Sequence, residues 1–156
     1  MSETVVVNMG EVEEKNPLAK GVYTFGFKNS KAFLVRSKKE GSDWIGLQGT
    51  LVPEGHPDDS FTAWLAVNHA MSSLDAKKFF KGLGYEVTGS GAVKVGGQLA
   101  TAEEVKAGNG PQATISINGA APVPVGFLRF KGETALEKDD KGQMRPRLIG
   151  VLGRVQ

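Results

Sequence analysis

From residue 21 onward apolar and polar side chains alternate. Tyr23, Phe25 and Phe27 fall on one side, Thr24, Gly26 and Lys28 on the other, and the alternation resumes over 32–36 after Asn29-Ser30. A period of two is that of a half-buried strand, so this stretch predicts one long strand with a break. Residues 38–43 read as a turn, 44–52 as a second strand, 53–59 with Gly55 and two prolines as a loop, and 61–67 as a third strand. Ser72, Ser73, Leu74 and Asp75 have the spacing of a capping box, and Phe79, Phe80 and Leu83 supply the apolar side of a helix stopped by Gly82 and Gly84. Residues 86–100 are glycine-rich and read as a flexible hairpin of Val87 with 93–95. Thr101 to Glu104 cap a second, very short helix, closed by Gly108-Asn109-Gly110-Pro111. Strand patterns return over 113–117, over 123–131 and, past the turn 138–142, over 144–152.

Strands, a helix, then strands again within 156 residues predict one mainly β domain. Three strands, one helix and a final hairpin is the order of an OB-fold, a five-stranded antiparallel barrel with the helix between strands 3 and 4. A glycine-rich insertion of about residues 85–121 shares that interval. The chain therefore divides into a loosely held acidic arm, 1–19, and a single OB-like domain, 20–156, that carries the insertion. No internal repeat is present.

Parity along the strands separates two faces. In the second strand Ile45, Leu47 and Leu51 share one face, leaving Trp44, Gly46, Gln48 and Thr50 on the other. In the third, Phe61, Ala63, Leu65 and Val67 share the apolar face, opposite Thr62, Trp64, Ala66 and Asn68. Both tryptophans thus fall in the polar sets beside small residues. Such an arrangement makes a shelf on which unpaired bases stack, at about 1–3 kcal/mol per base. The competing expectation is that a loop or the insertion covers them, because tryptophan is usually well buried. Tyr23, Phe25 and Phe27 are expected in the core.

Charge adds two borders to that face. The net charge is +2, but the first sixteen residues hold −3, which leaves +5 on the rest. Residues 20–39 contain six basic side chains and no acid, and 141–156 contain four and no acid. Arg36, Lys38 and Lys39 border the first-to-second strand turn. Arg129, Lys131, Lys138, Lys141, Arg145 and Arg147 border the final hairpin, although Asp139 and Asp140 sit at its tip. In an OB-fold these two loops frame the nucleic-acid groove. An excess this small is equally that of an ordinary solvated surface.

Catalytic constellations are weak. With no cysteine there is no disulfide, thiolate or cysteine-ligated metal site. The spacing Gly91 to Gly96-Gly97 lacks the Lys and Ser/Thr of a phosphate loop. His56, Asp58 and Asp59 offer metal ligands, but in a proline-rich turn where Asp commonly caps backbone. His69 has no carboxylate near it in sequence. Ser90 lacks the strand-to-helix context of a nucleophile elbow. A small hydrolase using His56, Asp58 or Asp59 is the least favoured reading, and neither a metal nor a cofactor is expected. No apolar run is long enough to span a bilayer and the start lacks the features of a signal peptide, so a cytoplasmic protein is expected.

The chain resembles the small OB-fold single-stranded DNA-binding proteins of bacteriophages. The resemblance rests on the opening strand Gly21-Val22-Tyr23-x-Phe25, on Gly49-Thr50-Leu51-Val52 with Phe61-Thr62-Ala63-Trp64-Leu65, and on the helix end Phe79-Phe80-Lys81-Gly82-Leu83-Gly84. The charged hairpin from Glu137 to Gln143 completes it. It covers roughly residues 20–152 as a pattern of elements. It implies binding of single-stranded DNA without sequence preference, in DNA replication or recombination within the host cytoplasm, and no enzymatic activity. The implied contacts are stacking on Trp44 and Trp64, with Gln48 beside them, and phosphate contacts from Arg36, Lys38, Lys39, Arg129, Lys131, Lys141, Arg145 and Arg147. RNA binding, homo-oligomers and replication or recombination proteins as partners stay open. Many members of the group end in an acidic recruiting tail, whereas this sequence closes with Leu152-Gly153-Arg154-Val155-Gln156. The alternative is a virus-associated structural β-protein of the capsid-decoration type, with the aromatics packed against a neighbouring subunit and no nucleic acid bound.

Overall fold

The structure, a computed structural model, describes residues 3–6 and 18–155. Most of the acidic arm, including Glu11, Glu13 and Glu14, lies outside the described residues. In chain order the elements are β1 (Gly21–Phe27), β2 (Phe33–Arg36), β3 (Ile45–Pro53), β4 (Phe61–Ala66), α1 (Ala76–Gly82), β5 (Lys94–Gly96), α2 (Ala102–Ala107), β6 (Thr114–Ser116), β7 (Val123–Pro124), β8 (Phe130–Lys138) and β9 (Met144–Arg154).

The break expected at Asn29-Ser30 is observed. β1 and β2 both pair antiparallel with one edge of β3, and Phe27 lies opposite Leu51 while Phe33 lies opposite Gln48. The first segment therefore gains three residues on β3 between those pairs. They are accommodated in the 3-10 turn Lys28–Ser30, where Asn29 and Ser30 both take left-handed φ values of 57° and 56°. β4 pairs with the other edge of β3, β1 pairs with β8, and β8 with β9. The path across the sheet is β4, β3, β1 together with β2, β8, β9, and it is open between β4 and β9.

Helix α1 is too short to hold itself together, since isolated helices need about 12–15 residues. Packing holds it. Phe79 and Phe80 are buried with Phe25 and Phe130, and the Phe79 ring meets that of Phe130 edge-on at 5.1 Å between centroids. Each such burial contributes roughly 1.5–3 kcal/mol, so the two phenylalanines together outweigh the unfavourable propensity of a seven-residue helix that ends in glycine. At its end Gly82 lies on β9, where a Cβ would come within 2.6 Å of the Val151 carbonyl oxygen.

The helix does not begin with a capping box at Ser72. Asp75 is the N-cap, accepting from Lys78 N at 2.9 Å and from Met71 N at 3.0 Å. A carboxylate takes both donors at once, which a serine hydroxyl at 72 does not match. Burial pushes this carboxyl up, but the two N–H groups with Lys78 and Lys77 outweigh it and leave Asp75 below its ordinary value. The box expected at Thr101 does form, with both reciprocal bonds to Glu104.

The insertion is neither a flexible hairpin nor a separate lobe. β5, β6 and β7 form a small antiparallel sheet in which 94–96 pairs with β6, while Val93 N donates back to Glu86 O at 2.8 Å beside Val87. Ala113, Ile115 and Val125 are fully buried in the same core as Phe25. Ala100 N donates to Leu34 O and Ala113 N to Ala32 O, each at 2.8 Å, so the insertion covers the outer edge of β2. The strand expected over 123–131 is interrupted by another 3-10 turn, Val125–Phe127. Gly126 explains the interruption: its Cα sits on the Ser30 carbonyl, where a Cβ would be 2.2 Å from the oxygen. The 3-10 turns Lys28–Ser30 and Val125–Phe127 are thereby packed together.

Pairing between β1 and β8 ends at Gly21 with Thr134. Residues 135–147 therefore extend past β1 as a two-stranded ribbon. No helix among the described residues is long and apolar enough to cross a membrane.

Candidate nucleic-acid interface

The faces follow the expected parity. Leu47, Gly49, Leu51 and Pro53 are buried on the inner face of β3, with Gln48, Thr50 and Val52 partly exposed on the outer one. Trp64 pairs across from Gln48 and leans diagonally onto Gly46, where an added Cβ would lie 1.9 Å from its Cε2. The glycine is what lets the indole lie flat on the sheet. Trp44, just before β3, stacks on His69, with ring centroids 4.5 Å apart and planes 16° apart. His69 Nε2 meets Asp43 Oδ1 at 3.0 Å, a carboxylate partner that sequence proximity did not reveal. Asn68 braces the same corner, accepting from Ile45 N at 2.9 Å and donating to Asp43 O at 2.8 Å. Both tryptophans are partly buried, and the insertion covers Phe33 and Val35 instead, with Ala100 and Val105 packed on them.

Beside the Trp64 shelf lies a cleft of about 520 Å³ between β3 and α2. Gln48, Thr50 and Thr62 supply its sheet wall, and Lys28, Lys31, Lys38 and Lys106 its cationic rim. No carboxylate lines it. Lys31 Nζ donates to Gly108 O at 2.5 Å, at the C-terminal end of α2 where a cation is favoured. The side chains of Lys28, Lys38 and Lys106 have no hydrogen-bond or ion-pair partner among the described residues.

Of the residues expected from sequence, Lys38 and Gln48 line the cleft, Trp64 pairs across from Gln48, and Trp44 lies just before β3. Arg36 pairs opposite Ile45, on the other face of the sheet. Lys39 is exposed in the turn beyond β2. Lys131 pairs opposite Thr24 and is exposed, away from the cleft. In the final hairpin the two arginines are matched by acids: Arg145 Nε donates to Asp139 Oδ2 at 2.5 Å, and Arg147 to Glu137 at 2.7 Å. Arg145 and the Gln143 N–H hold the Asp139 carboxyl below its ordinary value. Lys141 is exposed at the ribbon tip, its backbone N–H bonded to Asp139. Arg129 reaches Glu54 at 3.2 Å. Lys28, Lys31 and Lys106 were not singled out from sequence. The first two belong to the acid-free run 20–39, whereas Lys106 reaches the cleft only through the docking of α2. Of the turn 56–59, His56 Nδ1 lies 3.7 Å from Asp59, and no group of three or more metal-ligating side chains is assembled among the described residues.

The chain was compared with protein families, with curated proteins and with solved structures, and none of the three gives a match.

Proposed function

We propose that this protein is an OB-like module that binds single-stranded DNA with little sequence preference, without catalysis, in the replication or recombination of phage DNA. The observation that carries the reading is the carboxylate-free lysine cleft set against the Trp64 shelf on one face of the sheet. Stacking accepts any base, and lysines contact phosphates as point charges, so the pairing of the two binds a strand rather than a sequence. Gln48, Thr50 and Thr62 add donors and acceptors for base edges or sugars. The fold assignment is supported by strand order: β1 with β2 acts as a single bent first strand, and α1 follows β4 and packs on β9 beside the open seam.

The test is tryptophan emission titrated with oligothymidylate, in wild type and in a Trp44→Phe background that isolates Trp64. Saturable quenching that weakens with salt is expected. An unquenched Trp64 at low salt, with no mobility shift, overturns the reading. A stable oligomer whose emission ignores DNA would instead favour the capsid-decoration alternative.

A further inference from the structure

We infer that a second cleft, between Tyr85 and Phe127, is a further nucleotide subsite for the same strand; this rests on the DNA-binding reading above. The cleft measures about 580 Å³ and is lined by Leu83, Tyr85, Phe127, Leu128, Arg129, Arg154 and Val155, again without a carboxylate. Phe127 is 54% exposed although its neighbours Val125 and Leu128 are buried. An aromatic ring held in water by a buried turn gains nothing from the fold, but it offers a face for a base. Arg154 supplies the charge. Its guanidinium lies 4.4 Å from the Tyr85 ring centroid and its Nε donates to Leu83 O at 3.0 Å. That bond and the ring fix the side chain in place while its terminal nitrogens stay available to a phosphate. Arg129 is engaged with Glu54 and is assigned no ligand contact.

Continuity with the first cleft comes from the packed turns. Lys28 and Asn29 line the lysine cleft, and Phe127 and Leu128 line the second. The turns that carry them are locked by the contact of Gly126 with the Ser30 carbonyl. A strand leaving the lysine cleft at Lys28 has only this turn pair to cross before it reaches Phe127.

The experiment measures affinity for oligothymidylates of about 4 to 16 nucleotides, the range of OB-fold footprints, with wild type, Phe127→Leu and Arg154→Gln. Phe127→Leu keeps apolar bulk and removes the stacking face, and circular dichroism and melting confirm that it folds. The expected result is a loss of about 5- to 150-fold for the long oligonucleotides, equivalent to one stacked base, and none for the shortest that binds. Arg154→Gln should reproduce the length dependence. An oligonucleotide with a photoreactive thymine at its end should crosslink to wild type within 83–85 or 127–129 only when it is long. Equal affinity of variants and wild type at every length, or crosslinks confined to β3 and β4, overturns the second subsite and leaves the first intact. Failure of wild type to bind any length overturns both.

Discussion

Gly46→Ala tests the Trp64 shelf directly. The new Cβ would lie 1.9 Å from Trp64 Cε2, against an ordinary contact of about 3.5 Å, so the indole must retreat by about 1.5 Å or swing to another rotamer. The backbone at Gly46 is ordinary strand, without positive φ, so the whole penalty comes from the clash. Overpacking of this kind costs about 1–3 kcal/mol, and because the ring lies on a surface with room to move, the lower half of that range is expected. For a domain of this size this corresponds to a fall in Tm of about 2–6 °C. The readouts are thermal melting and the emission of Gly46→Ala in the Trp44→Phe background, where lifting Trp64 into water shifts emission to longer wavelength. Oligothymidylate affinity should fall with it. Wild-type melting together with an unshifted emission maximum would refute the placement of Trp64 on Gly46. A shifted emission with unchanged DNA affinity would keep the packing and remove the base shelf.

Two further outcomes follow from named groups. Replacing Lys28, Lys38 and Lys106 together by Gln should flatten the dependence of log affinity on log salt by about 2, since each phosphate contact on a single strand contributes about 0.7; an unchanged slope would mean that the lysine cleft does not meet phosphates. Asp75→Ala should destabilise the protein by about 1–2 kcal/mol near neutral pH, as loss of an N-cap does. The native carboxyl titrates below its ordinary value, so its contribution is complete above the unfolded pKa of about 3.9 and disappears as pH falls through the lower native value. Urea unfolding across that range should show the two proteins converging in acid, and a gap that stays constant down to the lowest pH would contradict the cap.

The parts legible in the sequence are those where one physical term dominates. β3 and β4 bury one face, so alternation alone placed Leu47, Leu51 and Leu65 inward and Gln48 and Trp64 outward. The break in the first strand was legible because Asn29 tolerates left-handed φ. Competing signals misled elsewhere: Ser72 and Asp75 both satisfy capping patterns, and only the helix start at Ala76 distinguishes them. Strand segments overlapping β5, β6 and β7 were legible, but strands this short carry too few positions to show which neighbour each one pairs with. The cleft was hidden for a different reason. Its rim joins Lys28, Lys31 and Lys38 of the run 20–39 to Lys106, far away in sequence, and charge counts do not reveal that Arg145 and Arg147 are balanced by Asp139 and Glu137. A usable signal for Phe127 did exist: counting by twos from buried Leu128 and Phe130 puts Phe127, Arg129 and Lys131 together on the outward side.

The pairing of β1 with both β3 and β8 bears on how the chain reaches this fold. The Thr134 hydroxyl closes on the Gly21 carbonyl across a sequence separation of 113, and Phe130 joins Phe25 and Phe79 in the same stroke. During synthesis β1, β3 and β4 can assemble early, but one edge of β1 stays bare, and the phenylalanine core stays incomplete, until the final hairpin emerges. Distant pairings of this kind slow folding, and the waiting edge is a site for pairing with other chains. A chain stopped before β8 would accordingly be not a smaller folded domain but an aggregation-prone fragment.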